Sequence, residues 1–106
     1  MELMLGSLLL RCDRGIFELY LHARPEPSVR CPVRWLSVAV EFNKRGRGTP
    51  KFGTVRSEHA PLYGDDASVL HGTYTPLQRI SREEEPRLRS FMSAIAERYG
   101  RRLTAG

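Results

Sequence analysis

Lys44, Arg45, Arg47 and Lys51 place four cations within eight residues, with Gly46 and Gly48 between them. Cationic side chains that close together concentrate positive potential, and glycine lets the backbone come near a partner. At the tip of a hairpin such a loop could track a phosphate backbone, adding affinity without reading sequence. Phe42 and Phe52 beside it, with Trp35 and Tyr20 on expected strands, offer stacking surfaces for unpaired bases, although Phe42 itself is expected in the core. The plainer reading of the same residues is a glycine turn whose cations keep a sheet edge soluble. Arg87, Arg98, Arg101 and Arg102 form a second basic set. Arg87 and Arg98 lie eleven residues apart, about three helical turns, and so share a face.

Residue types for catalysis are present without a defined pattern. The histidines are His22, His59 and His71. A loop could gather His59, Asp65, Asp66 and His71 around a metal, yet their spacing fits no metal motif, and Gly64-Asp65-Asp66 reads as a turn. Cys12 or Cys31 beside a histidine would be a thiol nucleophile, with no local signature to support it. Neither a Walker loop, nor G-x-G-x-x-G, nor G-x-S-x-G occurs. No catalytic residue, metal ligand or cofactor is therefore assigned. Two cysteines make neither a disulfide framework nor a zinc site. They read as reduced thiols, with a single Cys12–Cys31 bridge as the lesser alternative.

Composition bounds what these residues can serve. The 106 residues, 41% hydrophobic and 27% charged, suit one globular domain over 1–106 that folds without metal or disulfide. Lys and Arg number 17 against 12 Asp and Glu, a net charge of +5. That surplus favours nucleic acid, an acidic protein face or anionic lipid. Lys44 and Lys51 are the only lysines; arginine suits phosphate and carboxylate through its planar fork, though a compositional bias would also spread it everywhere. Residues 1–10 are apolar but begin with the acidic Glu2 and are too short for a membrane helix. They read as a buried strand, and the protein as cytoplasmic and away from membranes.

The elements that must position these residues follow from periodicity. Residues 3–11 and 16–23 are expected as a hairpin turning at Asp13–Gly15, with Phe17, Leu19 and Leu21 inward. Residues 24–32 carry three prolines and read as a loop. Residues 33–42 read as the strongest strand, Leu36, Val38, Val40 and Phe42 facing the core and Ser37, Ala39 and Glu41 outward. Residues 43–50 break it, 51–57 resume as its partner, 58–66 form a loop and 68–75 a last strand. Ser81 and Glu84 have capping-box spacing, Pro86 pulls the regular helix towards a start at its own position, and Leu88, Phe91, Met92, Ile95 and Tyr99 form one apolar stripe that Gly100 ends. The fold class is α+β: an antiparallel sheet of about four to five strands with an N-terminal hairpin and one C-terminal amphipathic helix packed on a face.

On this reading the chain is a small, basic, non-enzymatic binding module. It would contact RNA or single-stranded DNA through the glycine-rich loop and the arginine-rich helix. The alternative is a protein-interaction module, such as an inhibitor, adaptor or complex subunit, meeting an acidic protein surface with its sheet edge or the proline-rich loop. A small enzyme with dispersed active-site residues is the third reading.

Overall fold

Left-handed residues set the first two turns of the first sheet. The computed structural model describes residues 1–22, 24–57 and 59–105. Arg14 (φ 52°) and Gly15 (φ 79°) join β2 (Leu8–Asp13) to β3 (Ile16–Leu21). Two successive positive φ values are what a type I′ hairpin requires, and Asp13 pairs with Ile16 across it. The expected turn is therefore present. Residues 3–11, however, are not one strand, and the first part is a largely exposed edge strand rather than a buried one, with Met4 facing solvent. Gly6 (φ 57°) and Ser7 reverse β1 (Glu2–Leu5) onto β2, with Leu5 opposite Leu8. Gln78 locks that reversal: its Oε1 accepts from the Ser7 amide (2.8 Å) and hydroxyl (2.6 Å), and its Nε2 donates to the Leu5 carbonyl (2.6 Å). A Cβ on residue 6 would lie 2.4 Å from that same amide nitrogen, so glycine is needed there for space as well as for φ. The second strand of the hairpin ends at Leu21; Ala23, its expected end, lies outside the described residues.

The proline-rich stretch also departs from expectation. β4 (Val29–Pro32) pairs antiparallel with β3, giving the order β1-β2-β3-β4. Pro25 and Pro27 precede the strand and Pro32 is its last residue, so no proline interrupts the ladder. A 3-10 turn at Val33–Trp35 then carries the chain into a second sheet. Its central strands are β5 (Leu36–Phe42) and β6 (Arg47–Thr54), paired antiparallel. The strand expected from 33 thus starts three residues later, and its partner starts before Pro50. The reason Pro50 is tolerated lies in the register. β9 (Ile80–Ser81) pairs with β6 at Arg47 and Gly48, and β8 (His71–Tyr74) pairs at Phe52 and Thr54. Pro50 sits between these partners, and residues at its position turn their N–H towards that gap rather than towards β5. No donor is missed there.

Three further expectations change. β7 (Tyr63–Gly64), within the stretch read as loop, lies parallel to β5 at Val38 and Ala39; Glu58, where that loop was to begin, lies outside the described residues. Ser37 and Ala39 are buried rather than outward-facing. The Ser37 hydroxyl donates to the Pro61 carbonyl at 2.8 Å, and Ala39 packs with Val55 and Leu70, because residues 60–70 fold over that face. Residues 67–69 form a 3-10 turn capped by Asp66, so the strand expected from 68 begins at His71.

The inner faces of the two sheets meet in one core. Phe17 of β3 and Phe52 of β6 stack across it, their centroids 5.9 Å apart and their planes at 18°. Helix α1 (Glu85–Tyr99) buries Leu88, Phe91, Met92, Ile95 and Ala96 in the same core, and the half-buried Tyr99 hydroxyl accepts the Gly15 amide at 3.1 Å. The capping box forms as the spacing predicts: the Ser81 amide donates to Glu84 Oε1 (2.9 Å) and the Glu84 amide to Ser81 Oγ (3.1 Å). It stands one turn ahead of the regular helix, which leaves Pro86 in the first turn, where its missing N–H costs nothing. Gly100 (φ 68°) closes the helix. The α+β class, the hairpin and the helix are as expected, and the strands divide between two sheets.

Cys12 and Cys31 are both buried and free. Cys12 pairs with Phe17 and Phe17 with Cys31, so a whole strand separates the thiols. Two strand spacings amount to roughly 9.5 Å, beyond the limit of about 7 Å for a bridge. Burial pushes the Cys31 thiol up to about 11 and raises Cys12 as well, so both are protonated at neutral pH. A colorimetric thiol reagent at pH 8 should therefore react with neither in the native protein and with both after denaturation; fast native reaction would contradict the burial. In denaturant titration, Leu88→Ala and Ile95→Ala should each lose about 2–5 kcal/mol, since both side chains are fully buried. Wild-type stability in both would remove the packing argument.

Candidate nucleic-acid interface

The basic loop is a hairpin tip. The amide of Asn43 donates to the Arg47 carbonyl (3.0 Å) and Gly46 to the Asn43 carbonyl (3.1 Å). Gly46 takes φ 77°, the left-handed position of a three-residue hairpin loop. The Asn43 side chain fixes the turn from within: its Oδ1 accepts from the amides of Arg45 (2.9 Å) and Arg47 (3.0 Å). Lys44, Arg45 and Arg47 are exposed around this rigid turn. Lys51 is placed differently. It lies farther along β6, half-buried, with its Nζ 2.6 Å from Glu41, and its charge is largely balanced locally.

Two arginines that sequence reasoning missed complete the cationic end. The pairing of β9 with β6 sets Ser81 opposite Arg47, which brings in the residues flanking β9. Arg79 donates to Thr49 Oγ1. Arg82 lies over the Phe42 ring at 4.6 Å and packs on Gly46, where a Cβ would be 3.5 Å from its Nε. The only local signal was the isolated apolar Ile80 between cations; nothing in the sequence states that it pairs under Gly48. That glycine is required by packing. A Cβ there would come within 2.9 Å of Val40 and 3.1 Å of Ile80. Phe42, expected in the core, is half-buried and packs against its edge, and Phe52 is buried and unavailable for stacking. Trp35 and Tyr20 sit elsewhere, beneath Arg34 and Arg11 respectively.

The second basic set disperses. Arg87 donates to the Met4 carbonyl (2.9 Å), Arg98 lies over the Tyr99 ring (5.9 Å), and Arg102 donates to the His59 carbonyl (2.9 Å). Arg101 is buried. Its guanidinium donates to the carbonyls of Val33, Leu36 (2.8 Å) and Ala60 (2.9 Å). Leu36 and Phe42 are opposite ends of β5, so the end held by Arg101 and the hairpin end lie roughly 20 Å apart at strand rise. The two sets do not form one surface.

Beside the hairpin end runs a groove of about 510 Å³, bordered by Phe42, Tyr63, Asp65, Arg82 and Glu85. The Tyr63 hydroxyl donates to Glu85 Oε2 at 2.9 Å, and Arg89 Nε lies 3.1 Å from the same oxygen. Burial, then the Glu85 bond, raises the Tyr63 hydroxyl, which keeps it a donor. Asp66 is held by Ser68, whose hydrogen bonds lower its carboxyl. The weighed metal cluster of His59, Asp65, Asp66 and His71 does not assemble: among the described residues no three His, Cys, Asp or Glu side chains converge as ligands. No helix among them is long and apolar enough to cross a membrane. No family model, curated protein or solved structure matches the chain. The site's own geometry therefore carries the functional reading.

Arg101 generates a sharp stability test. Arg101→Ala withdraws a donor from three carbonyls, and a loss on the order of 3 kcal/mol or more is expected in denaturant unfolding. Arg101→Lys should recover only part of it, because one ammonium cannot reproduce the planar fork. An alanine variant as stable as the wild type would return this residue to the surface.

Proposed function

We propose that this chain binds single-stranded nucleic acid, RNA or DNA, through the cationic end formed by Lys44, Arg45, Arg47, Arg79 and Arg82. One observation carries the reading. The chain holds 17 Lys and Arg against 12 Asp and Glu; with these five set aside, the two signs balance. These five equal the formal surplus of +5 in number, and the pairing of β9 with β6 gathers them at the hairpin end. A cluster of this kind focuses potential and attracts polyanions.

On the first sheet charges stand in pairs. Across the outer face of the first sheet Glu2, Arg11, Glu18 and Arg30 stand in register. Arg11 lies 2.8 Å from Glu2 and Arg30 3.4 Å from Glu18. Such a ladder offers a phosphate no net attraction. The cationic end, by contrast, presents rigid backbone and forked donors suited to phosphate. A convex hairpin tip with no helix to insert in a major groove suits backbone tracking on single strands rather than base-pair readout.

The test is the salt dependence of binding to labelled single-stranded oligonucleotides. Log affinity should fall linearly with log salt, with a slope of about 0.7 per phosphate neutralised. Replacing Arg45 and Arg47 together by Ala should weaken all sequences alike and flatten the slope by about 1.4 if each neutralises one phosphate. Replacing Arg87, Arg98 and Arg102 should leave the slope unchanged. A slope that responds to the helix residues and not to the hairpin would move the interface. No binding by the wild type at low salt would sink the reading in favour of an acidic protein partner.

A further inference from the structure

The groove beside the hairpin end shares Phe42 and Arg82 with the cationic cluster. A nucleotide whose phosphate is held by the five cations is thus adjacent to its mouth. Its walls combine three kinds of surface: apolar and aromatic from Val40, Phe42 and Tyr63, cationic from Arg82 and Arg89, and anionic from Asp65, Asp66 and Glu85. One edge of β5 also opens into it. β7 pairs with β5 only at Val38 and Ala39, and the Val38 amide already donates to Leu62 at 2.8 Å. Backbone groups alternate in direction along a strand, so the Val40 carbonyl and the Phe42 amide face the same side beyond the end of β7.

Electrostatics sorts what can enter. Within the groove Arg89 is spent on Glu85, which leaves Asp65 and Asp66 to repel phosphate. Arg82 and the other cations hold it at the mouth, so the base is the part of a nucleotide that fits within. A guanidinium plane such as that of Arg82 is a stacking surface for an unpaired base. Ionised carboxylates accept hydrogen bonds and never donate. Cytosine N4, adenine N6 and guanine N2 carry amino donors, whereas uracil and thymine set carbonyl acceptors at the corresponding positions. Resting on the nucleic-acid reading above, we infer that this groove is a base-binding site that prefers bases bearing an exocyclic amino group over uracil and thymine. Because a base that is stacked and paired in a duplex cannot be splayed out into a groove, the same site selects single strands.

Asp65 is the residue to test. It is exposed, so Asp65→Asn should leave the fold intact, whereas Glu85 already holds Tyr63 and Arg89. The probes are labelled oligocytidylate, oligoadenylate and oligouridylate of equal length at one salt concentration. The wild type should bind the first two about tenfold more tightly than oligouridylate, the scale of one base contact. Asp65→Asn should shrink that ratio without weakening oligouridylate, while Arg45→Ala with Arg47→Ala should weaken all three and preserve the ratio. Equal, salt-dependent affinity of the wild type for all three probes overturns the groove and leaves phosphate binding standing. A preference that survives both Asp65→Asn and Glu85→Gln also overturns it. No binding to any probe at low salt overturns both readings together.

Discussion

One buried guanidinium holds the places where this chain changes direction. Arg101 reaches back from the end of the helix to the carbonyls of Val33 and Leu36, on the turn between the two sheets, and to Ala60 on the segment leading to β7. Leu36 opens β5, and the Val33 carbonyl also accepts from the Leu36 amide. The guanidinium thus completes acceptors that the backbone serves only in part, and a buried acceptor short of donors is costly. The residues after Arg101 extend the same arrangement: Leu62 and Tyr63 donate their amides to the carbonyls of Arg102 and Leu103, both at 2.9 Å or less. The helix terminus thereby sets the height of β7 against β5. Where β7 stops determines where the β5 edge opens, and so where the groove lies.

The hairpin end has its own constraint, which is closeness. Gly48 lets Ile80 lie directly on Val40 and Phe42, and only that contact allows a two-residue strand to dock. Docking of β9 is what turns Arg79 and Arg82 from two positions in a linker into part of a cationic surface. The same segment carries Gln78, which clasps the first turn of the other sheet. One short stretch therefore ties the sheets together and arms the site.

Local signals were legible and long-range ones were not. The Arg14-Gly15 turn, the capping box of Ser81 and Glu84, and the stripe from Leu88 to Ile95 each depend on neighbours within a few residues. Their reading from sequence agrees with the structure. Gly6-Ser7 was the same kind of signal, a glycine-first pair between apolar runs, and was masked by the apolar residues on both sides. Pro50 was read as a breaker because its tolerance depends on where two distant strands exchange places along β6. Arg101 read as a surface cation because an arginine beyond a helix end is usually solvated; its burial depends on carbonyls more than forty residues away in sequence. Of the candidate site, the hairpin cations were visible, while Arg79, Arg82 and the groove required the pairing of β9.

The neutral ladder on the outer face of the first sheet has a consequence for motion in solution. A balanced ladder on one sheet and five cations gathered at the hairpin end of the other make the surface charge uneven. A polyanion within about a Debye length exerts a torque on such a distribution before any surfaces meet. If the partner is the polyanion proposed above, rotational diffusion is biased towards approach by the cationic end. Fewer encounters are then spent in unproductive orientations, and the charge distribution acts on the rate of capture more than on the lifetime of the complex.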